Sequence, residues 1–367
     1  MVKAIILAGG YATRLRPLTL TRPKPLLPIL DKPLLDWIID GLRDSNVKDI
    51  ILSIRYLAQL IKVKYGAGID RGVNIKYVEE TKPLGDAGPI KLVDKVLGLD
   101  DTFLVVYGDV FSDIDYSRII EFHKRKGGIA TIMLTKVKDP SRYGVAVLDD
   151  DYRIKDFIEK PPREQAPTNI INAGVYVFEP DILRYIPEKS PSKLARDVIP
   201  KIIAKEQVYG YIHEGLWNDI GVPEDYYNAN MNALKYFYPQ GYVDESVEIN
   251  GDVEIIQPVY ISSKVVIEKG SRIGPYTIIG ERSRIGDNTF VSKSILFSEV
   301  IVESSAVVRG SIIGERSIIG KWARLEEGVI IGDEVVVDES VLLNRGVIVL
   351  PFKEVETNVY EEGKIIL

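Results

Sequence analysis

A six-residue repeat runs through the last third of the chain and restricts its fold more than any other feature. Apolar residues recur at every sixth position from 249 to 349, with one four-residue step between Phe297 and Ile301. A period of six fits neither an amphipathic helix nor a coiled-coil heptad. It is typical of a β-helix of hexapeptide repeats, in which each six-residue face supplies one short strand and one turn. We therefore expect each recurring apolar side chain to point into the prism.

The first 230 residues have a different texture, since strand-like and helix-like segments alternate along them. Apolar runs predict strands at residues 2–7, 49–54, 74–78, 103–106 and 130–134. Apolar stripes at helical spacing predict helices at residues 33–44, 89–97 and 116–126. This alternation predicts a Rossmann-like α/β domain with a largely parallel sheet. In such sheets, ligands bind at the carboxyl ends of the strands.

The change of texture predicts two domains. We place the α/β domain at residues 1–232 and the β-helix at residues 246–367. A linker at residues 233–245 joins them, where Pro239 and Gly241 interrupt regular structure.

Composition excludes several other classes of protein. The net charge is −6 and no basic run occurs, so nucleic-acid binding is not expected. The chain has no Cys and only two His, which excludes disulfides and thiolate chemistry and disfavours a His-based metal site. The N-terminus reads as a buried strand and not as a signal peptide, and no apolar run is long enough to cross a membrane. We expect a cytoplasmic protein that does not bind membranes.

A glycine-rich turn follows the first predicted strand and leads into a group of cations. Gly9 and Gly10 allow backbone N–H groups to approach an anion closely. The cations are Arg14, Arg16, Arg22 and Lys24. Together they suit a triphosphate, although the stretch is neither a P-loop nor a dinucleotide fingerprint.

This stretch closely resembles the nucleotide-binding loop of the nucleotide-sugar pyrophosphorylases, the sugar-1-phosphate nucleotidylyltransferases. The resemblance covers nearly the whole chain. Residues 80–89 resemble the family's base-reading loop, residues 107–110 its metal-binding turn, and residues 143–145, 157–161 and 172–176 its sugar-pocket segments. Residues 217–223 resemble the loop with its second metal carboxylate, and residues 314–326 and 349–366 resemble the tail of the mannose-1-phosphate guanylyltransferase branch. Besides the small change of a common Gly to Ala12, two residues depart from the common pattern, since Asp86 replaces a common Thr and Tyr107 a common Asn.

The resemblance implies a left-handed β-helix, a reaction and a set of site residues. Nucleotide-binding residues are Leu7, Gly9, Gly10, Thr13, Arg14, Lys24, Gly85 and Gly88. Sugar-phosphate-binding residues are Gly144, Glu159, Lys160, Asn172 and Gly174. Asp109 and Asp219 would hold Mg²⁺, and Arg14, Lys24, Asp109, Lys160 and Asp219 would be catalytic.

The implied reaction joins an NTP and a sugar 1-phosphate into an NDP-sugar and pyrophosphate. The tail favours GTP and mannose 1-phosphate, with glucose 1-phosphate and dTTP or UTP as the alternative. A bifunctional acetyltransferase is a further alternative, although its usual His base is missing, because no His follows His213. A non-catalytic regulatory subunit is the last, although the motif cations and carboxylates are all present. We expect a homo-oligomer assembled through the β-helix.

Overall fold

The computed structural model describes residues 2–188 and 191–367. The chain separates into two compact units, and the division is not a single cut. The first unit comprises Met1–Tyr11, Pro23–Pro25 and Leu34–Asn218. The second comprises Ala12–Arg22, Leu26–Pro33 and Asp219–Leu367. Two segments from the start of the chain thus belong to the same unit as the β-helix, while the boundaries expected at residues 232 and 246 stay a prediction.

A nine-stranded sheet forms the centre of the first unit. Seven strands follow one another in the order Ile154–Glu159, Gly144–Leu148, Ile170–Phe178, Phe103–Tyr107, Lys3–Ala8, Asp49–Ile54 and Asn74–Glu79. The last four of these are mutually parallel. Ile170–Phe178 runs antiparallel to Phe103–Tyr107 and also pairs with Ala130–Lys136, which is parallel to Val208–Ile212. The sheet is therefore parallel where the predicted nucleotide loop begins and mixed beyond it.

Helices and short strands complete the chain outside the β-helix. The α-helices are Leu34–Asp44, Ala58–Tyr65, Gly88–Leu97, Tyr116–Lys126, Ile199–Lys205 and Pro223–Phe237, with a π-helical turn at Leu194–Val198. The 3₁₀ turns are Thr13–Leu15, Lys24–Leu26, Ile69–Arg71, Arg163–Gln165 and Pro180–Arg184. The short strands are Pro28–Ile29, Lys32–Pro33, Val110–Ser112 and Trp217–Asp219. Across the described part of the chain, no helix combines the length and apolar character that crossing a membrane requires.

The predicted fold class is confirmed, and the three predicted helices and five predicted strands all form, with shifts of one or two residues at their ends. The helix Ala58–Tyr65 was not predicted. Its polar and apolar residues do not separate into two clear faces, since Leu60 and Val63 are exposed while Ala58 and Ile61 are buried. It therefore lacks the apolar stripe that a sequence reading depends on.

Three parallel sheets form the β-helix. The first contains Tyr242–Val243, Val259–Ile261, Thr277–Ile279, Ile295–Leu296, Ile312–Ile313, Ile330–Ile331, Ile348–Val349 and Ile365–Ile366. The second contains Glu248–Ile249, Val266–Ile267, Arg284–Ile285, Ile301–Val302, Ile318–Ile319, Val336–Val337 and Glu354–Val355. The third contains Glu254–Ile255, Arg272–Ile273, Phe290–Ser292, Val307–Arg309, Arg324–Leu325 and Leu342–Leu343.

The core of the β-helix corrects the predicted phase of the repeat in one coil. After Val291, the inward side chains are Leu296, Val302 and Val308, and not Phe297, Ile301 and Val307 as expected. The steps from Val291 to Leu296 and from Val308 to Ile313 are five residues each. One four-residue step and two five-residue steps remove the same number of residues, so the sequence alone does not distinguish them. Phe297 consequently lies outside the prism.

We predict that inward and outward neighbours in one strand differ sharply in their effect on stability. Ile285 is fully buried in the prism, whereas its neighbour Arg284 is exposed. Ile285→Ala should lower the free energy of unfolding by about 2–5 kcal/mol, because it leaves a cavity. Arg284→Ala should change it by about 0.5 kcal/mol or less. Denaturant titration of both variants checks this, and equal losses would contradict the assigned register.

Candidate active site

A cavity of about 350 Å³ opens at the carboxyl ends of the parallel strands in the first unit. Four of these strands end at its wall, as expected for a sheet of this type. It is lined by Leu7, Ala8, Gly9, Gly10, Lys24, Pro25, Arg55, Glu80, Pro83, Leu84, Gly85, Asp86, Pro89, Tyr107, Gly108 and Asp109. Six predicted site residues, Leu7, Gly9, Gly10, Lys24, Gly85 and Asp109, therefore share one cavity. Gly88 is buried at the start of the helix Gly88–Leu97, next to the lining residue Pro89.

A buried carboxylate and a guanidinium flank the glycine turn. A Cβ at Gly9 would lie 2.4 Å from Glu80 Oε1, so a larger residue there would displace the Glu80 carboxylate. Arg55 Nε donates to the Gly9 carbonyl at 3.0 Å, and the Ser53 hydroxyl donates to Glu80 at 3.1 Å. Burial raises the pKa of Glu80, against the lowering effects of the Ser53 hydrogen bond and the Arg55 charge. The turn is thus fixed from both sides before any ligand binds.

The predicted base-reading loop is held by a segment far along the chain. Ser192 N donates to the Leu84 carbonyl at 3.0 Å, and Ala87 N donates to the Ser192 carbonyl at 3.1 Å. Gly85 lies between them at φ +81°, where a Cβ would be 2.0 Å from the Ser192 carbonyl oxygen. Glycine is therefore required by both the backbone conformation and the close approach.

The two residues that depart from the family pattern interact with each other. The Tyr107 hydroxyl hydrogen-bonds to Asp86, whose Oδ1 also accepts the Leu194 N–H at 2.5 Å. Burial raises the pKa values of both side chains. The Tyr176 hydroxyl donates to the Tyr107 hydroxyl at 3.2 Å, and Asn172 Nδ2 donates to the Tyr176 hydroxyl at 2.7 Å. A continuous polar chain therefore joins the base-reading loop to the predicted sugar pocket.

Four of the predicted sugar-phosphate residues lie near this polar chain. Gly174 N donates to Asn172 Oδ1 at 3.2 Å, and a Cβ at Gly174 would be 3.2 Å from the Tyr107 Cβ. Gly144 pairs with Glu159 across two antiparallel strands, and its Cβ would be 3.0 Å from Glu159 Oε2. Burial raises the pKa of Glu159, and the repulsion of Asp86 adds to that effect. Lys160 follows at φ +50°, with its side chain 60% exposed and its ammonium 3.9 Å from Glu159 Oε1.

Lys24 and Asp109 form an ion pair at the mouth of the cavity. Lys24 Nζ lies 2.7 Å from Asp109 Oδ2, and the Asp109 side chain remains 40% exposed. Asp109 thus presents a carboxylate that already holds one cation. Within the described residues, 2–188 and 191–367, no group of three or more acidic, His or Cys side chains is arranged to hold a metal ion. A metal at this carboxylate would therefore need further oxygen ligands from substrate or water, which is how Mg²⁺ is commonly bound.

Three other predicted site residues belong to the second unit. Thr13 and Arg14 are the exposed residues of the 3₁₀ turn Thr13–Leu15, and Asp219 ends the short strand Trp217–Asp219. The proposed pairing of Asp219 with Asp109 stays a prediction.

The structure corrects the grouping of motif cations for Arg22. Its Nη2 lies 2.5 Å from Asp333 Oδ2 and 2.8 Å from Glu315 Oε2. Burial lowers the pKa of Arg22, but the two carboxylates raise it above its ordinary value. Arg22 is neutralised within the second unit and is not a free cation for a triphosphate.

Sequence reasoning missed four residues at or beside the cavity as individual site residues: Arg55, Glu80, Asp86 and Lys193. Glu80 and Asp86 were part of the predicted loop, but no pattern separated the buried carboxylates from exposed ones. Lys193 lowers the pKa values of Asp86 and Glu159 by its charge, although it lies more than thirty residues from either in sequence. Only the folded chain brings these charges together.

The fold and the cavity define a nucleotide-handling α/β enzyme with an appended β-helix, and comparison with known proteins agrees. The protein-family model described as nucleotidyl transferase matches residues 3–236 of this chain. A second family model, described as GMPPB C-terminal domain, matches residues 255–366. The chain therefore belongs to the nucleotidyl transferase family.

Relatives of similar length carry names of one activity. A protein of Sulfolobus acidocaldarius, provisionally named mannose-1-phosphate guanyltransferase, is 42% identical over 74% of this chain and 74% of its own. The mannose-1-phosphate guanyltransferase of Hypocrea jecorina is 37% identical over 74% of this chain and 73% of its own.

Solved structures are similar to part of this chain. HddC from Yersinia pseudotuberculosis is 31% identical and covers 63% of this chain and 99% of its own, with a TM-score of 0.54. A second structure of HddC, complexed with GMP-PN, has a TM-score of 0.52.

We predict that Asp86 and Tyr107 act as one unit. Asp86→Asn and Tyr107→Phe should each lower the free energy of unfolding, because each leaves a buried partner with a weakened or missing hydrogen bond. The double variant should lose less than the sum, with a coupling of about 0.5–3 kcal/mol. Denaturant titration of the four proteins measures the coupling, and strictly additive losses would contradict the pairing.

Proposed function

We propose that the protein makes GDP-mannose and pyrophosphate from GTP and mannose 1-phosphate. The names of the relatives support this choice, as does the match to the GMPPB C-terminal domain model. The structural observation that carries the nucleobase assignment is the buried Glu80 carboxylate in the cavity wall. An ionised carboxylate only accepts hydrogen bonds. The Watson–Crick edge of guanine offers two adjacent donors, N1–H and N2–H₂, whereas uracil and thymine offer one N–H between two carbonyls.

The reaction requires two polyanions to meet. An oxygen of the sugar phosphate attacks the α-phosphorus of GTP, a new P–O bond forms, and the bond to the β-phosphate oxygen breaks to release pyrophosphate. The second pKa of a phosphate monoester is about 6, so the attacking oxygen is already anionic at neutral pH and needs no general base. Catalysis is therefore expected from positioning and charge neutralisation.

The residues divide this work by their places in the chain. Gly9 and Gly10 leave room for the triphosphate, and Arg14 and Lys24 would neutralise its oxygens. Glu159, Asn172 and the space left by Gly144 and Gly174 would bind the sugar hydroxyls, and Lys160 the sugar phosphate. Lys160 is exposed before any substrate binds, so it would neutralise the incoming phosphate at little desolvation cost.

Asp109 and Asp219 would hold a divalent cation, and we propose Mg²⁺. Their carboxylate oxygens are the hard donors that this ion prefers. When bound, the ion supplies further neutralisation of the phosphate charge. Lys24 would then be released from Asp109 toward the phosphates.

The proposed function is tested by a pyrophosphate-release assay. GTP, ATP, UTP and dTTP are each combined with mannose, glucose and glucosamine 1-phosphates. GTP with mannose 1-phosphate should give the highest kcat/KM. A preference for dTTP or UTP with glucose 1-phosphate would replace the assignment, and release with no pair would support a regulatory subunit.

We predict that Glu80→Gln weakens the preference for GTP. The variant keeps the shape but replaces one acceptor by a donor that faces the donors of guanine. Loss of a charged hydrogen bond is worth about 1.5–3 kcal/mol, so kcat/KM for GTP should fall by about 10–100-fold. The value for UTP should change much less. Glu79→Gln is the matched control, since the neighbouring Glu79 is exposed and pairs with Lys62. An equal loss for GTP and UTP would remove Glu80 from base recognition.

We predict that turnover requires a divalent cation and the Asp109 carboxylate. Excess chelator should abolish turnover and Mg²⁺ should restore it. Asp109→Asn should lower kcat by about 10²-fold or more, the scale of losing a charge-stabilising group. Asp115→Asn is the control, because Asp115 accepts the Ser117 N–H and caps a helix, a task that Asn also performs. Full activity of Asp109→Asn would contradict the metal assignment.

A further inference from the structure

Arg22 is a motif residue that the proposed chemistry leaves without a role. Its side chain is only 16% exposed and its guanidinium lies between two carboxylates of the β-helix, Asp333 and Glu315. The partners lie 311 and 293 positions further along the chain. A solvent-exposed cation would not need two acidic partners from so far along the chain. The contact is therefore part of the folded structure of the second unit.

Asp333 is the centre of this cluster and is itself 5% exposed. Its Oδ1 accepts the Glu315 backbone N–H at 2.8 Å, and its Oδ2 accepts the Thr21 hydroxyl at 2.6 Å as well as Arg22. Glu315 and Asp333 lie on neighbouring coils, where Glu334 N donates to the Glu315 carbonyl at 2.8 Å. The acidic pair is therefore attached to the rigid stack of the β-helix.

The coil with the altered phase completes the surroundings of Arg22. Phe297, which is turned out of the prism, lies under the guanidinium at 5.2 Å, and the ring of Tyr226 meets Phe297 edge-on at 6.1 Å. A buried charge lowers the stability of the fold unless an opposite charge stays paired with it. Removal of Arg22 or of Asp333 would therefore leave an uncompensated buried charge. The cluster therefore fixes the position of Arg22 strictly.

We propose that Asp333 and Glu315 are positioning residues for nucleotidyl transfer, acting through Arg22 on the chain segment that carries Arg14 and Lys24. Only Pro23, with its restricted φ, separates Arg22 from Lys24. On the other side, the Thr19 hydroxyl donates to the Ala12 carbonyl at 2.9 Å and closes the turn that carries Arg14. This inference rests on the proposed function, because it assumes that both cations meet the triphosphate.

The test compares the kinetics of Asp333→Asn with those of the unaltered protein. A misplaced loop cation should raise the KM for GTP and lower kcat, for a loss in kcat/KM of about 10–100-fold. The KM for mannose 1-phosphate should stay within about twofold, which general loss of structure would not produce. Arg22→Gln should show the same pattern, and the double variant should be no worse than the single ones.

Two further variants separate positioning from folding. Glu315→Gln perturbs a carboxylate that is 25% exposed, so it should raise the KM for GTP in the same way but by less. It replaces Asp333→Asn in the test if that variant does not fold. Glu299→Gln breaks the exposed ion pair with Arg282, 2.8 Å apart on neighbouring coils, and should leave both KM values unchanged. Unchanged KM for GTP in both Asp333→Asn and Glu315→Gln, or parallel changes for both substrates, would overturn the proposal.

Failure of the proposed function is recognised separately. If the unaltered protein uses another NTP, the same comparison is made with that NTP. If it turns over none, calorimetric binding of inorganic tripolyphosphate to the unaltered protein and to Asp333→Asn replaces the kinetics. Equal affinity of the two proteins would then overturn the positioning role.

Discussion

The β-helix depends on one constraint: each coil must stay in register with the coil before it. Backbone hydrogen bonds run from coil to coil, and the inward side chains stack only if each coil keeps its phase. Length can change only at corners. The two five-residue steps both fall at the corner that contains Lys293 and Gly310, so the coils on either side stay paired. The altered phase also turns Phe297 outward, where it lies against Arg22 and Tyr226. An irregularity in the repeat thus creates the surface that receives a motif from the start of the chain.

The sequence motif of four cations divides into different roles in the folded chain. Lys24 pairs with Asp109 at the mouth of the cavity, while two residues earlier Arg22 pairs with Asp333 and Glu315. In the first pair the carboxylate is the exposed member, since Asp109 is 40% exposed and Lys24 only 12%. In the second, Asp333 is 6% exposed and Arg22 is 16% exposed, so separating them would leave a largely buried charge unpaired. Cations that are neighbours in sequence therefore differ in their partners, since Lys24 has one partly exposed carboxylate and Arg22 has two carboxylates, one of them buried.

What the sequence predicts well is what depends on local pattern. The six-residue period, the buried strands and the glycine turn are each visible in a short window, and the place of the cavity follows from the general rule for parallel sheets. What it does not predict depends on partners far away. Three features join distant segments: the antiparallel strands of the sheet, the hydrogen bonds of Ser192 on either side of Gly85, and the ion pairs of Arg22. The predicted phase of the coil at Phe297 was wrong for another reason. One four-residue step and two five-residue steps shorten the repeat by the same number of residues and differ only in which side chains fill the prism.

The two departures from the family pattern illustrate why single positions are poor guides to specificity. Taken alone, Asp86 puts a charge in a loop that reads the base, and Tyr107 puts a large ring beside the metal-binding turn. Together they satisfy one another, since the hydroxyl meets the carboxylate and each would otherwise be a buried polar group in need of a partner. Their hydrogen bonds continue through Tyr176 to Asn172. Hydrogen bonds therefore join Asp86, in the loop proposed to read the base, to Asn172, which is proposed to bind the sugar.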